Sequence, residues 1–165
     1  MTKDSFDLNE FRHSIYLDAA LEEVYMFAAS AAGICKWFMG TAVYTEPDGR
    51  ELGSNENASR GCSFSWKWLE KDLAIEGRVL EAAENKKFSF TFGKGFEVSF
   101  NLENSGGRTL FTLHQKYAAG GEKNDFAHIN CCTCWVFFLT NLKSVIENGI
   151  DLRETIVSDD TLVNR

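Results

Sequence analysis

The stretch Asp125–Asn148, DFAHINCCTCWVFFLTNLKSVIEN, decides the fold of this chain. At about 100° per residue, its apolar side chains recur every three or four positions and fall on one arc of a helical wheel, whereas Asn130 and Asn141 fall on the opposite side. We therefore predict one long amphipathic helix, capped at its start by Asn124 or Asp125 and ended by Gly149. It would run about 36 Å, which is long enough to cross a small domain.

A helix of this kind needs a broad apolar surface, and the sequence before it predicts a sheet. Alternating apolar and polar residues mark strand one, and the same alternation returns in segments separated by turn-forming residues. Neighbouring segments should therefore pair as antiparallel hairpins. The predicted strands are 11–17, 41–46, 62–69, 73–81, 88–92, 96–102 and 109–117, and two short helices are predicted at 19–30 and 31–39.

Helices kept apart from an antiparallel meander indicate an α+β fold. We expect a curved antiparallel sheet of six to seven strands, wrapped on the long C-terminal helix, with the two short helices after strand one. Such a sheet tends to leave a gap beneath the helix, and that gap is the natural ligand site. The loop 51–61 is rich in Gly, Ser and Asn, and we predict that it is mobile.

Composition excludes some classes of function. The chain has 165 residues with a net charge of −7, which indicates one globular domain and argues against a nucleic-acid partner. The N-terminal residues lack a secretory signal and the longest apolar run, Trp135–Leu139, is too short to span a bilayer. Five cysteines, three of them within Cys131–Cys134, fit free thiols in a reducing compartment. We therefore expect a cytoplasmic protein without membrane insertion.

Several segments carry a family resemblance. They are SIYLDAALEEVYMFAASAAGICKWFMG from Ser14, GCSFSWKW from Gly61, EGRVLE from Glu76, RTLFTLH from Arg108, and Trp135 followed by NLKSVIENG from Asn141. In order and spacing they resemble the START-like (SRPBCC, helix-grip) superfamily, in particular the AHSA-type homologues of the activator of the heat-shock protein ninety ATPase. The resemblance covers about 11–153, although Tyr25 stands where the family often has Trp.

The resemblance implies a single START-like domain over 1–153 with a deep pocket between sheet and helix. The acidic residues after Gly149 predict a frayed end, and we expect a flexible acidic tail over 154–165. Members of the superfamily bind or carry hydrophobic small molecules. A minority catalyse reactions on such ligands, and others are protein-binding co-chaperone domains. Fold alone therefore leaves the function open.

We predict that ten side chains of the sheet and helices line the ligand pocket. Several tryptophans facing one another favour a cavity, although packing of the core is the alternative for each aromatic residue. The predicted pocket residues are Trp37, Phe38, Trp66, Trp68, Phe90, Phe100, His114, His128, Trp135 and Leu139.

Chemically reactive groups are sparse. His13 and His114 could orient a ligand or act as a general base, but a structural histidine is the alternative. The Cys131 and Cys134 spacing, with His128 nearby, formally allows zinc, yet a mid-helix pair lacks the turn that lets thiolates converge. We therefore assign no catalytic residue, no metal site and no cofactor.

Three functional hypotheses follow. The first is binding or transport of an apolar small molecule, lipid-like or aromatic, between the curved sheet and the helix. The second is a co-chaperone-type domain that binds a protein and modulates a heat-shock ATPase. The third is an enzyme that acts on a small hydrophobic substrate. Phe137, predicted to point away from the inner arc, could belong to a homodimer or partner surface.

Overall fold

The computed structural model describes residues 7–69, 71–156 and 162–164, and these form seven strands and three helices. The chain order matches the predicted α+β arrangement, with two short helices after the first strand and one long helix at the end. The elements are β1 (Glu10–Leu17), α1 (Leu21–Ala29), α2 (Ala31–Cys35), β2 (Thr41–Thr45), β3 (Ser63–Lys67), β4 (Ala74–Ala83), β5 (Lys87–Phe92), β6 (Phe96–Ser105), β7 (Arg108–Tyr117) and α3 (Asp125–Asn148).

All seven strands form one antiparallel sheet in the order β1-β7-β6-β5-β4-β3-β2. Strands β2 to β7 are a meander, and β1 pairs with β7 at one edge. Alternation along β6 buries Phe96, Val98 and Phe100 on the face toward α3 and leaves polar side chains on the opposite face. A bulge between Val79 and Glu81 interrupts the β4–β5 pairing. Bulges of this kind increase the local twist of a sheet. The predicted helix-grip architecture is confirmed.

Helix α3 begins and ends where the sequence predicted. The Asn124 side chain accepts a hydrogen bond from the Ala127 amide at 2.9 Å. Gly149 is left-handed at φ 68°, a conformation that glycine adopts without strain. By length and composition α3 could cross a membrane, but here it lies against the sheet with Trp135, Phe138 and others of its side chains buried.

The short helices are fixed to each other and to α3 by buried polar contacts. Ser30 caps α2 by accepting from the Gly33 amide at 3.0 Å, and Trp37 Nε1 donates to the Phe27 oxygen at 3.0 Å. A Cβ at Gly33 would lie 2.1 Å from the Met26 oxygen, so only glycine permits this close approach of α1 and α2. These contacts set the position of the aromatic residues that follow α2.

The segment that follows Gly149, where the sequence predicts fraying, contacts the end of α2 and the residues after it. The Arg153 side chain is 6% exposed and donates to the main-chain oxygens of Cys35 and Met39, each at 2.9 Å. The wheel placed Asn141 on the outer side of α3, but it is fully buried because this segment covers it. Of the predicted flexible tail, Glu154 is hydrogen-bonded to Asn164, and 157–161 and 165 lie outside the described residues.

The loop 51–61, predicted to be mobile, is instead attached to the short helices. The Ala32 amide donates to the Ser54 oxygen at 2.7 Å, and the Ala58 amide donates to the Ala29 oxygen at 2.9 Å. Arg50 also pairs with Glu56 across the loop. Polar composition alone did not reveal these hydrogen bonds, because they use main-chain groups of both segments.

Candidate functional site

A cleft of about 240 Å³ lies between the sheet and the first half of α3. The turn from β3 to β4 forms one side of the cleft, the end of β5 forms its base, and α3 forms the other side. Aromatic side chains predominate, and the few polar groups lie toward solvent. The cleft is lined by Phe38, Trp68, Lys71, Leu73, Phe92, Asn130, Cys131, Cys134, Trp135 and Phe138.

Five of these side chains form a contiguous aromatic wall. Phe38, which follows α2, has its ring centroid 4.5 Å from that of Trp135 and 4.8 Å from that of Phe138. Trp68 lies edge-on to Phe38 at 5.3 Å, and Phe92 lies 5.6 Å from Trp135. Rings at these separations attract one another beyond the burial of their surface. The wall is therefore preformed and strongly apolar.

Trp135 is held in place from behind. Its Nε1 donates to Gln115 Oε1 at 2.9 Å, and Gln115 is fully buried. A buried tryptophan with a satisfied N–H has a fixed ring orientation, so one wall of the cleft is rigid.

The two cysteines that line the cleft differ in exposure. Burial raises the pKa of Cys131 to about 11, and the neighbouring Gln115 side chain offsets part of that rise. Its thiol is therefore protonated at neutral pH and is a poor nucleophile. Cys134 is exposed at the rim. Both thiols thus present small, weakly polar surfaces to the cleft.

Three of the predicted pocket residues line this cleft, namely Phe38, Trp68 and Trp135. The others on the inner face fill the core behind the wall, which was the alternative considered for each aromatic residue. Trp66 and Phe90, for example, pack together at 5.0 Å. The predicted residues that are buried in this core are Trp37, Trp66, Phe90, Phe100 and Leu139.

The two histidines in the prediction lie elsewhere. His114 is on the outer face of the sheet, where its Nε2 is 2.8 Å from Glu10 Oε2. Its neighbours Leu113 and Gln115 face α3, so strand alternation turns His114 away. His128 is on the inner side of α3 but near its start, stacked on Tyr117 at 5.3 Å.

Seven lining residues were absent from the predicted set, namely Lys71, Leu73, Phe92, Asn130, Cys131, Cys134 and Phe138. Phe92 shares the inner face of β5 with Phe88 and Phe90, so alternation alone could have identified it. Lys71 follows a strand and obeys no periodicity, so only the folded turn reveals it. Asn130 was placed on the outer side of α3, yet it borders the cleft.

The cleft offers little for acid–base chemistry. Among its described lining residues there is neither a histidine nor a carboxylate. His13 Nε2 lies 2.9 Å from the Cys132 oxygen and 3.5 Å from its sulfur, but neither residue lines the cleft. The described part of the chain also contains no group of three or more metal-binding side chains.

A second apolar surface lies on the outer face of α3, formed by Phe126, Ile129 and Val136. These side chains are 82%, 47% and 52% exposed. No Asp, Glu, Lys or Arg occurs between Asp125 and Lys143, so this face has no charge over four turns of helix. Phe137, predicted to be exposed, is half-buried against Phe138 at 5.2 Å, and Val136 is the exposed neighbour.

Comparison with known proteins identifies the family. Residues 18–147 match the family model described as Activator of Hsp90 ATPase homolog 1-like protein. The chain belongs to this family. The match spans both short helices, the whole meander and nearly all of α3, and it confirms the AHSA-type resemblance. No curated protein matches the chain.

Solved structures share the fold at low identity. A protein from Staphylococcus saprophyticus, SSP2350, is 18% identical with a TM-score of 0.69, over 87% of this chain and 96% of that one. The Aha1 dimer from Colwellia psychrerythraea is 22% identical with a TM-score of 0.66, over 85% and 97%. DynU16, from the dynemicin biosynthetic locus, is 16% identical with a TM-score of 0.67, over 89% and 50%. At these identities the likeness concerns the fold.

Proposed function

We propose that this protein binds a small apolar molecule in the cleft between its sheet and α3. The contiguous aromatic wall, preformed and open to solvent, is the observation that supports this function. Covering apolar surface is worth about 25 cal/mol per Å² before ordering costs. A volume of about 240 Å³ is at the small end for ligand sites, which favours one or two rings over a long acyl chain.

The rim of the cleft permits exchange of the ligand with solvent. Leu73 is 53% exposed and Cys134 is exposed, so a bound molecule would keep one edge accessible. This geometry fits reversible binding or transport. We place the protein in the cytoplasm, because all five cysteines are free, as a reducing compartment would keep them.

The cleft can be blocked without removing any core side chain. Cys134→Trp would place a large ring in the cleft, whereas Val136→Trp adds the same ring to the same helix outside it. A panel of aromatic metabolites, sterols and short lipids should raise the melting temperature and change tryptophan fluorescence of the unmodified protein and of Val136→Trp. Cys134→Trp should lose the response. Equal responses from both variants, or no response from any protein, would contradict the proposal.

A second candidate function is supported by the outer face of α3. An uncharged, partly apolar helix face in a chain of net charge −7 is the kind of surface that protein partners cover. The Colwellia psychrerythraea relative was solved as a dimer, and the family is named for activation of the Hsp90 ATPase. We propose this face as the contact for a chaperone or a second copy of the chain.

This candidate is tested by placing a charge on the face. Val136→Glu should abolish any concentration-dependent dimer seen by sedimentation velocity, and any change in ATP turnover by the Hsp90 of the source organism. Glu103→Gln, exposed on the opposite face of the sheet, is the matched control. If the protein is monomeric and leaves ATP turnover unchanged at high concentration, the outer face serves neither purpose.

A further inference from the structure

Building on the proposed ligand-binding function, we infer that the cleft selects small aromatic or alicyclic acids, with the apolar body on the aromatic wall and the anionic group at Lys71. The proposed ligands are organic anions of one or two rings, which the cleft would bind in preference to neutral molecules of the same shape.

The position of the charge within the cleft supports this inference. Of the described residues that line the cleft, Lys71 is the one with a full charge at neutral pH. The thiol of Cys131 is kept protonated by burial, and the remaining lining side chains are apolar, apart from the Asn130 amide and the Cys134 thiol. A ligand on the wall therefore meets a cation at the turn between β3 and β4.

No protein carboxylate in the described part of the chain neutralises this cation. Lys87, Lys116 and Lys143 each pair with a glutamate. Lys71 has no such pair, and its neighbour Asp72 makes none with it. Glu154, which lines a smaller neighbouring hollow together with Lys71, accepts instead from the Thr155 and Ile156 amides.

The charge at this part of the cleft differs from the charge of the molecule as a whole. The chain has a net charge of −7, so its surface as a whole disfavours anions. Lys71 places a cation beside the apolar wall, although Glu70 and Asp72 flank it in the sequence. Asn130 adds an amide donor on the α3 side of the same cleft, which suits the second oxygen of a carboxylate or sulfonate.

The probes for the test are 1-naphthaleneacetate and 1-naphthaleneacetamide, which differ in charge and hardly in shape. By titration calorimetry at low salt, the unmodified protein should bind the acid about fivefold more tightly than the amide, which is the scale of one exposed ion pair. Lys71→Met should bring the two affinities within twofold of each other while leaving the affinity for the amide unchanged. Lys86→Met, an exposed lysine outside the cleft, should keep the preference.

Salt gives a second readout, since Lys71 is exposed. The fivefold preference should shrink in 1 M salt, where the screening length falls to about 3 Å. Equal affinities of both probes for the unmodified protein, or a preference that survives Lys71→Met, would overturn the inference while leaving apolar binding intact. Failure of both probes and of the whole apolar panel would overturn the proposed function and this inference together.

Discussion

Asn141 on α3 donates its side-chain amide to the main-chain oxygen of Trp37 over 2.8 Å. The same side chain accepts from the Leu152 amide at 2.7 Å and donates to Asp151 at 3.0 Å. One buried amide therefore joins the end of α2, the middle of α3 and the segment after Gly149. Phe38 of the aromatic wall follows Trp37 directly, so this joint also positions the cleft.

Asn141→Ala should lower the free energy of unfolding by about 2–4 kcal/mol, because it leaves the buried Trp37 oxygen and the Leu152 amide without this partner. Urea denaturation followed by tryptophan fluorescence measures the change. Thr140→Ala, one position earlier and exposed, should stay within about 0.5 kcal/mol of the unmodified protein. A loss as small as that for Asn141→Ala would show that solvent reaches the joint.

Tyr44→Phe should raise stability by about 1 kcal/mol. No hydrogen bond of good geometry satisfies the buried Tyr44 hydroxyl among the described residues. Burial raises its pKa far above the usual range, and the adjacent Trp66 side chain offsets part of that rise. Removing the oxygen removes the cost of burying this hydroxyl, and the ring contacts with Phe64 and Trp66 are kept. Thermal denaturation measures the gain. A loss of more than 1 kcal/mol would instead indicate a buried water bonded to the hydroxyl.

Alkaline pH should destabilise the protein through Cys131. Burial raises its pKa from 9.0 to about 11, so between pH 9 and pH 11 the unfolded thiol ionises while the folded thiol stays protonated. The unfolded state then binds fewer protons, and stability falls as pH rises through this window. Cys131→Ala should lessen the fall in urea midpoint between pH 8.5 and 10, and the rest of the fall comes from Cys35 and Cys132, whose pKa values burial also raises. Working below pH 10 limits the contribution of Tyr25, whose pKa burial raises to about 12.

Arg153→Ala should release the segment after Gly149. The guanidinium donates to the oxygens of Cys35 and Met39 at the end of α2, and it pairs with Asp151 at 2.7 Å. Removing it should lower the free energy of unfolding by about 2 kcal/mol and speed amide exchange at Leu152 and Phe38. Arg153→Lys should recover only part of this, because one ammonium lacks the planar fork that spans both oxygens. Unchanged exchange would show that the segment is held by other contacts.

The sequence predicted the fold well because its signals are periodic. The arc of α3 and the alternation in β6 follow from side-chain geometry that tertiary structure rarely overrides. The ends of α3 were predicted too, since Asn124 and Gly149 act through their own local chemistry. The burial of Asn141 could not be predicted in this way, because a later segment of the chain covers a position that the helix alone would expose.

The cleft was predicted only in part, for physical reasons that differ between residues. Phe38 and Trp135 were included as large aromatic side chains on inner faces, but the same rule also selected core residues such as Trp66. His114 was misplaced because its strand was treated as a set of apolar neighbours, when alternation points it away from Leu113. Lys71 and Asn130 could not be assigned, since their place at the cleft depends on how a turn and a helix meet.

The aromatic wall belongs at once to the proposed binding cleft and to the hydrophobic core. Replacing Phe38 or Trp135 to accept a different molecule would also loosen the attachment of α3, so a mutation there would change binding and lower stability together. Lys71, Leu73 and Cys134 touch the ligand space but bury little surface of their own. Divergence of ligand preference among related proteins should therefore concentrate at these three positions, where new specificities can evolve while the interior is preserved.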